Sequence, residues 1–334
     1  MTLDWPTLLP LIFAGLMGLA ILIYVVLDGF DLGIGILFAA ADDHEKDVMI
    51  AAIGPFWDAN ETWLVLAVGL LLVAFPYAHG IILTALYIPV ALLLIGLILR
   101  GVAFDFRAKV PTAHKGRWNR LFFAGSLLAS LAQGYMLGIY VLGLQGSFAA
   151  IAFGALVAVS LAAAYAAMGA AWLIYKTEGE LQKKAVYWLR WALVFTVLGM
   201  AEISIATPLA SPRIFEKWFV FPTFVYLSPL PILSGALFLW LWWQTFHMPK
   251  ENDRHALVPF LTLALIFALG FAGLAYSFYP YVVPEQLTIW QAASAPESLG
   301  FILVGALFVL PVIILTSVYV YRVFGGKAAD LHYD

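Results

Sequence analysis

Nine stretches of this 334-residue chain are each long and apolar enough to cross a lipid bilayer, and that repetition constrains the fold more than any other feature. A spanning helix needs about 20 consecutive, mainly apolar residues, because the hydrocarbon core is about 30 Å thick and a helix rises about 1.5 Å per residue. The stretches cover roughly residues 8–38, 52–75, 79–103, 121–144, 149–175, 187–209, 221–246, 257–280 and 299–323. The segments between them are short, which leaves no room for a separate soluble domain. The expectation is an all-α polytopic membrane protein, a single integral membrane domain over residues 1–334, with about nine transmembrane helices.

The composition agrees. Apolar residues make up 64% and charged residues 11%, against about 45–50% and 25% in a water-soluble domain. The net charge of −3 is too small to suggest nucleic acid as a partner, and with no cysteine there are no disulfides, thiolate metal sites or cysteine nucleophiles. The N-terminal stretch has Asp4 and no basic residue before its apolar run, so it reads as a retained first helix rather than a signal peptide. Pro89, Pro229, Pro231 and Pro311 lie in or near spans and predict kinks.

Assigning the intervening segments alternately to two sides sorts the basic residues. Of 17, all but Arg213 and Lys217 fall on one side. Basic residues concentrate on the cytoplasmic side of a membrane protein, so the N-terminus is expected outside and the C-terminus in the cytoplasm. Gly29 and Gly33 in the first span, and the small-residue run from Ser160 to Ala171 in the fifth, predict close helix packing.

The chemistry is narrowed by what is missing. His44, His79, His114, His247, His255 and His332 all lie in loops or at the ends of spans. A haem buried in a helical bundle needs axial ligands such as His or Met, and Met17, Met136, Met168 and Met200 are more simply read as packing. No haem ligated by this chain and no metal site are therefore expected. Phosphate-binding glycine motifs are also absent, which argues against ATP or NAD chemistry.

Ionisable groups inside the membrane are costly and point to function. Asp28 and Asp31 are three residues apart and share a helix face; Asp58 and Glu61 repeat the spacing in the second span, between Trp57 and Trp63. Arg100 and Asp105 close the third span. All six converge on the cytoplasmic half of three consecutive helices, with Asp58 about 10 Å deep if the second span starts at residue 52. Two readings stand side by side. Asp28, Asp31 and Arg100 suit a structural ionic network. Asp58 and Glu61, with no basic residue near them in sequence, suit a carboxylate relay for protons. Glu202 stands apart in the sixth span, its role open.

Three blocks then become recognisable: Asp28-Gly-Phe-Asp-Leu-Gly-Ile-Gly35, Trp57-Asp-Ala-Asn-Glu-Thr-Trp63 and Arg100-Gly-Val-Ala-Phe-Asp-Phe-Arg107. With Trp172–Gly179, Tyr279–Pro284, Leu287–Trp290 and Pro311–Leu315, they occur in order over nearly the whole chain, which resembles subunit II of bd-type quinol oxidases. The compact length and Leu99-Arg-Gly-Val-Ala-Phe104 are most similar to the cyanide-insensitive branch.

The resemblance implies two four-helix bundles plus one peripheral helix, in a heterodimer with a haem-bearing subunit I in the bacterial inner membrane. The partner would carry two b haems with haem d or a third b-type haem, and would bind the quinol. A small single-helix accessory subunit and a structural quinone or lipid are compatible with this plan. The complex would reduce oxygen to water electrogenically. In this chain the resemblance implies a proton route through Asp105, Lys109 and Asp58, and an oxygen route near Trp63. One position departs from the pattern: relatives often have Trp-Asp where this chain has Trp118-Asn119, and an amide cannot take up a proton. His114 is the nearest candidate substitute. The alternative class is a secondary transporter, which also uses intramembrane acids and proline-broken helices.

Overall fold

The computed structural model describes residues 4–250 and 253–328; His332 lies outside them. The helices are α1 (Trp5–Leu37), α2 (Asp43–Ile53), α3 (Trp57–Ala74), α4 (Pro76–Ala85), α5 (Tyr87–Lys109), α6 (Thr112–Val141), α7 (Phe148–Lys176), α8 (Gly179–Ala210), α9 (Pro212–Phe219), α10 (Thr223–Leu227), α11 (Pro229–Thr245), α12 (Val258–Phe278), α13 (Ile289–Ala292) and α14 (Pro296–Val323). Between α12 and α13, β1 (Tyr281–Val283) and β2 (Leu287–Thr288) form a small antiparallel hairpin. Among the described residues nine helical segments are long and apolar enough to span a membrane, which makes this an all-α polytopic membrane protein.

Two spans differ from their expected limits. The second begins at Trp57 instead of residue 52, because Gly54-Pro55 separates it from α2. Proline lacks the N–H a continuing helix would use. α2 is instead a helix of its own, opened by a reciprocal cap: Glu45 N–H donates to Asp42 Oδ1 and Asp42 N–H to Glu45 Oε2, each at 2.9 Å. The third span runs six residues past its expected end, to Lys109, and stops where Val110 turns extended before Pro111. Arg100, Asp105 and Lys109 therefore share one helix. Pro89, Pro229 and Pro231 stand in first turns, where no N–H is required, and only Pro311 of the four lies in a helix interior.

α1 is the central element, packed on α3, α6, α7, α12 and α14. Its closest approach is to α7: a Cβ at Gly33 would collide with the Tyr165 carbonyl, and one at Gly169 would meet the backbone of α1. The glycine pair and the small-residue run anticipated from sequence thus face each other. Between these helices an aromatic core forms. Phe30 stacks on Trp172 with ring centres 4.4 Å apart, and Phe56 leans on Tyr321 of α14 at 4.6 Å.

α14 buries only Leu299 and Ser317 and otherwise presents apolar side chains outward. Its C-terminal end is fastened. Lys176 Nζ donates to the Phe324 carbonyl at 2.7 Å, a cation at the negative end of a helix dipole. Lys327 pairs with Asp253 at 2.8 Å. At the opposite end of the bundle, Arg213 pairs with Glu285 at 2.9 Å. Lys217 Nζ donates to the carbonyls of Tyr276 and Tyr279, at 2.7 and 2.6 Å, and so caps α12. The two basic residues on the sparsely charged side are thus both committed to internal contacts.

Candidate functional site

Asp28 and Asp31, one turn apart on α1, face Arg100 of α5 and Glu61 of α3. Arg100 Nη1 donates to Asp28 Oδ1 and to Glu61 Oε1, both at 2.8 Å, and Nη2 stands 3.6 Å from Asp31 Oδ2. Asp28, Asp31 and Arg100 are almost wholly buried, at 0%, 0% and 1% exposure, while the Glu61 side chain keeps 28%. One guanidinium therefore serves three carboxyls on two helices. Isolated charges cannot persist at such burial, so the pairing makes the tight α1–α3–α5 arrangement possible.

Sequence reasoning found no base for Glu61 because Arg100 lies 39 residues away, on another helix. It also passed over the neutral members of the cluster. Asn60 Nδ2 donates to Asp31 Oδ2 at 2.8 Å and to the Leu27 carbonyl at 3.3 Å, and Asn60 Oδ1 accepts from the Tyr321 hydroxyl at 2.9 Å. One turn before Asp28 on α1, the Tyr24 hydroxyl accepts from Gln133 at 2.9 Å, and Gln133 accepts from Tyr165 at 2.7 Å. The available signal for Asn60 was its position between Asp58 and Glu61 in an otherwise apolar helix.

Asp58, Asp105 and Lys109 are placed differently. Asp58 is the second residue of α3, at the start of its span and not seven residues inside it, and its side chain is exposed. Asp105 and Lys109 lie one turn apart in the last turns of α5, both exposed. Asp58 and Asp105 are close enough for their charges to act on each other. Trp57, next to Asp58 in sequence, packs its ring on Phe104, the neighbour of Asp105, at 5.0 Å and lies 6.0 Å from the Arg100 guanidinium. The seven acidic and basic residues singled out in the first three spans thus separate into a set paired with or around Arg100 and an exposed set of Asp58, Asp105 and Lys109.

Trp63 is buried at 3% exposure, and its ring N–H has no hydrogen-bond partner among the described residues. One carboxyl oxygen of Glu202 is likewise buried and unpaired, far from the cluster. Asn119 is buried against α5, where Arg107 Nε donates to its Oδ1 at 2.6 Å. Arg107 also pairs with Asp47 of α2 at 2.7 Å, and Lys115 reaches the same carboxyl at 3.0 Å. Partial burial pushes the Asp47 carboxyl up, but the hydrogen bonds and charges of Lys115 and Arg107 together outweigh it and hold it below the usual range. His114 is exposed beside this network. Among the described residues no group of three His, Asp or Glu is arranged to hold a metal ion.

A nine-span helical protein built around a buried guanidinium–carboxylate centre is a multi-pass membrane protein with an ionic core. The family model for cytochrome bd terminal oxidase subunit II matches residues 9–324, and the chain belongs to that family. It is similar to cytochrome bd-I ubiquinol oxidase subunit 2 of Escherichia coli K12, at 28% identity over 93% of each chain. To cytochrome bd ubiquinol oxidase subunit 2 of Bacillus subtilis 168 it is 37% identical over 40% of this chain and 38% of that one. The fold matches a solved chain of the bd oxidase from Geobacillus thermodenitrificans with a TM-score of 0.74, over 95% and 98% of the two chains at 17% identity. The chain is thus a subunit of a bd-type quinol oxidase of the bacterial inner membrane, and the transporter reading falls away.

Proposed function

We propose that this chain is the subunit that ligates no haem in a heterodimeric quinol oxidase, and that it delivers cytoplasmic protons towards the haems of subunit I. The observation that carries this reading is the exposed row of Asp58, Asp105 and Lys109 beside the buried Arg100 cluster. Titratable groups on the outer surface of a membrane-embedded bundle are expensive against lipid. Against a partner subunit they can receive protons at the aqueous edge and pass them across the interface. Glu61, held by Arg100 but still part exposed, is the inner end of the row. Asp28, Asp31 and Arg100 hold the three helices in register and so fix where the row sits.

The remaining parts follow the same reading. The basic end of the bundle faces the cytoplasm, which puts the N-terminus outside and the C-terminus inside. Haems remain with subunit I, because the five described histidines lie at the ends of spans or between them, where none can reach a mid-bundle iron. Those haems would supply the oxygen chemistry, and the quinol would be bound by the partner. Proton uptake from the cytoplasmic side makes turnover electrogenic. Trp63 lines a route for oxygen, helped by a buried apolar setting. The nine spans divide into two four-helix bundles with α14 as the peripheral helix, as its exposure supports. A small accessory helix fits such a complex.

Expression of this chain without its partner tests the division of labour. The expected product is membrane-inserted and shows no haem absorption. A stoichiometric haem lost on replacing one histidine would contradict it.

A further inference from the structure

A cavity of about 220 Å³ lies where the end of α11 meets the start of α12, at the end of the bundle that carries most of the basic residues. We propose that it binds the phosphate headgroup of one anionic phospholipid. Its wall is apolar, made by Trp240 and Val258, and its rim is polar and cationic, made by Gln244, Lys250 and His255. The described acid of this turn does not neutralise the rim. Asp253 is committed to Lys327 at 2.8 Å and also accepts from Gln182. Among the described residues no carboxylate pairs with Lys250 or His255.

Level, shape and size favour a lipid. The cavity lies where the spanning helices end, the depth of headgroups. The exposed side chains of Leu239 and Trp243 continue α11 as an outward-facing apolar surface. A volume of about 220 Å³ far exceeds the ~30 Å³ of one water and falls below the ~300 Å³ or more of pockets that enclose a whole drug-sized molecule. It suits a headgroup whose acyl chains remain outside along the helix. Basic pockets between spanning helices recognise anionic headgroups in this way. Asp253 and His255 both take left-handed backbone conformations, at φ 52° and 71°. Asp and His tolerate this region better than most residues with a side chain, so the two conformations mark a tight turn and not strain. No rim residue belongs to the Arg100 cluster or to the Asp58 row, so this site stands independently of the proton route.

The test uses the oxidase complex purified in detergent, delipidated, and titrated with phosphatidylglycerol or phosphatidylcholine of the same acyl chains, read by native mass spectrometry. The wild type is expected to bind one more phosphatidylglycerol than Lys250→Gln/His255→Gln, whose affinity for that lipid falls about tenfold or more. Lys250→Arg should retain it. Trp240→Leu should weaken both lipids alike, since it alters the wall and not the charge. An unchanged haem spectrum verifies that each variant complex is assembled. Equal binding of both lipids by the wild type, or unchanged phosphatidylglycerol binding by the double variant, would overturn the proposal. Displacement of the lipid by equimolar inorganic phosphate would overturn it too, by making the site one for a free small anion.

Discussion

The Tyr321 hydroxyl donates to Asn60 Oδ1 at 2.9 Å across 261 residues of sequence. Asn60 in turn holds Asp31. This single bond connects α14, which otherwise faces outward along most of its length, to the buried ionic centre. Tyr321→Phe keeps the ring against Phe56 but removes the donor and leaves a buried acceptor unpaired. The expected loss is about 1–3 kcal/mol, read as a lower thermal midpoint of the complex followed through its haem absorbance. Spectrum and turnover at low temperature should be unchanged. An unaltered midpoint would show that this hydrogen bond contributes nothing to holding α14.

Arg100 has no substitute in its surroundings. Arg100→Ala leaves Asp28, Asp31 and Glu61 facing one another without a counter-charge. Removing one partner of a buried ion pair costs about 3–5 kcal/mol, and here three acids lose the same partner. Loss of assembled complex and of haem content is expected. Arg100→Lys should recover little, because a single ammonium cannot reproduce a planar group that reaches both helices. Normal assembly of Arg100→Ala with abolished turnover would instead give the guanidinium a catalytic role.

Asp47 gives a pH-dependent test outside the membrane. Its carboxyl is held below its ordinary value by Lys115 and Arg107, despite partial burial. A carboxyl depressed by folding contributes stability above the unfolded-state value, about 3.9. That contribution disappears as the pH falls through the lower folded-state value. Asp47→Asn should therefore be less stable than the wild type at pH 7. The difference should be below about 1 kcal/mol, because the Asp47 side chain is more than a third exposed and solvent screens it. The two proteins should converge as the pH is lowered through the acid range. A difference that persists unchanged into strong acid would contradict this account.

Much of this arrangement was legible in the sequence, for definite reasons. Asp28, Asp31 and Arg100 stand out because charge inside apolar segments is rare, and the i, i+3 spacing placed both acids on one face. Gly33 announced a close approach, and Gly169 in the facing small-residue run answered it. The neutral partners were harder to see: Gln133 and Tyr321 carry no charge and reach the centre only through the tertiary fold, and Asn60 offered only its position between Asp58 and Glu61. Glu61 looked unpaired because its base is on another helix. The start of the second span was set too early because an apolar stretch read as one span includes Gly54-Pro55, and averaging hydropathy over a window hides a break that a single proline makes. Asn119, out of pattern as a proton acceptor, fits as a neutral hydrogen-bond partner for Arg107, with Asp47 supplying the charge from α2.

The proton route rests most directly on Asp58. Reduction of oxygen to water consumes protons that lipid cannot supply, so they must pass along groups that gain and lose a proton in turn. Asp58→Asn keeps size and hydrogen-bonding capacity, and the exposed position of the side chain leaves no internal pair to break. The measurement is quinol oxidase turnover of the Asp58→Asn complex, normalised to haem content. The expected result is normal assembly and normal haem spectra, with turnover reduced at least about tenfold, or ~1.4 kcal/mol on the barrier, and partly restored in Asp58→Glu. Wild-type turnover in Asp58→Asn would contradict the account and show that protons enter elsewhere.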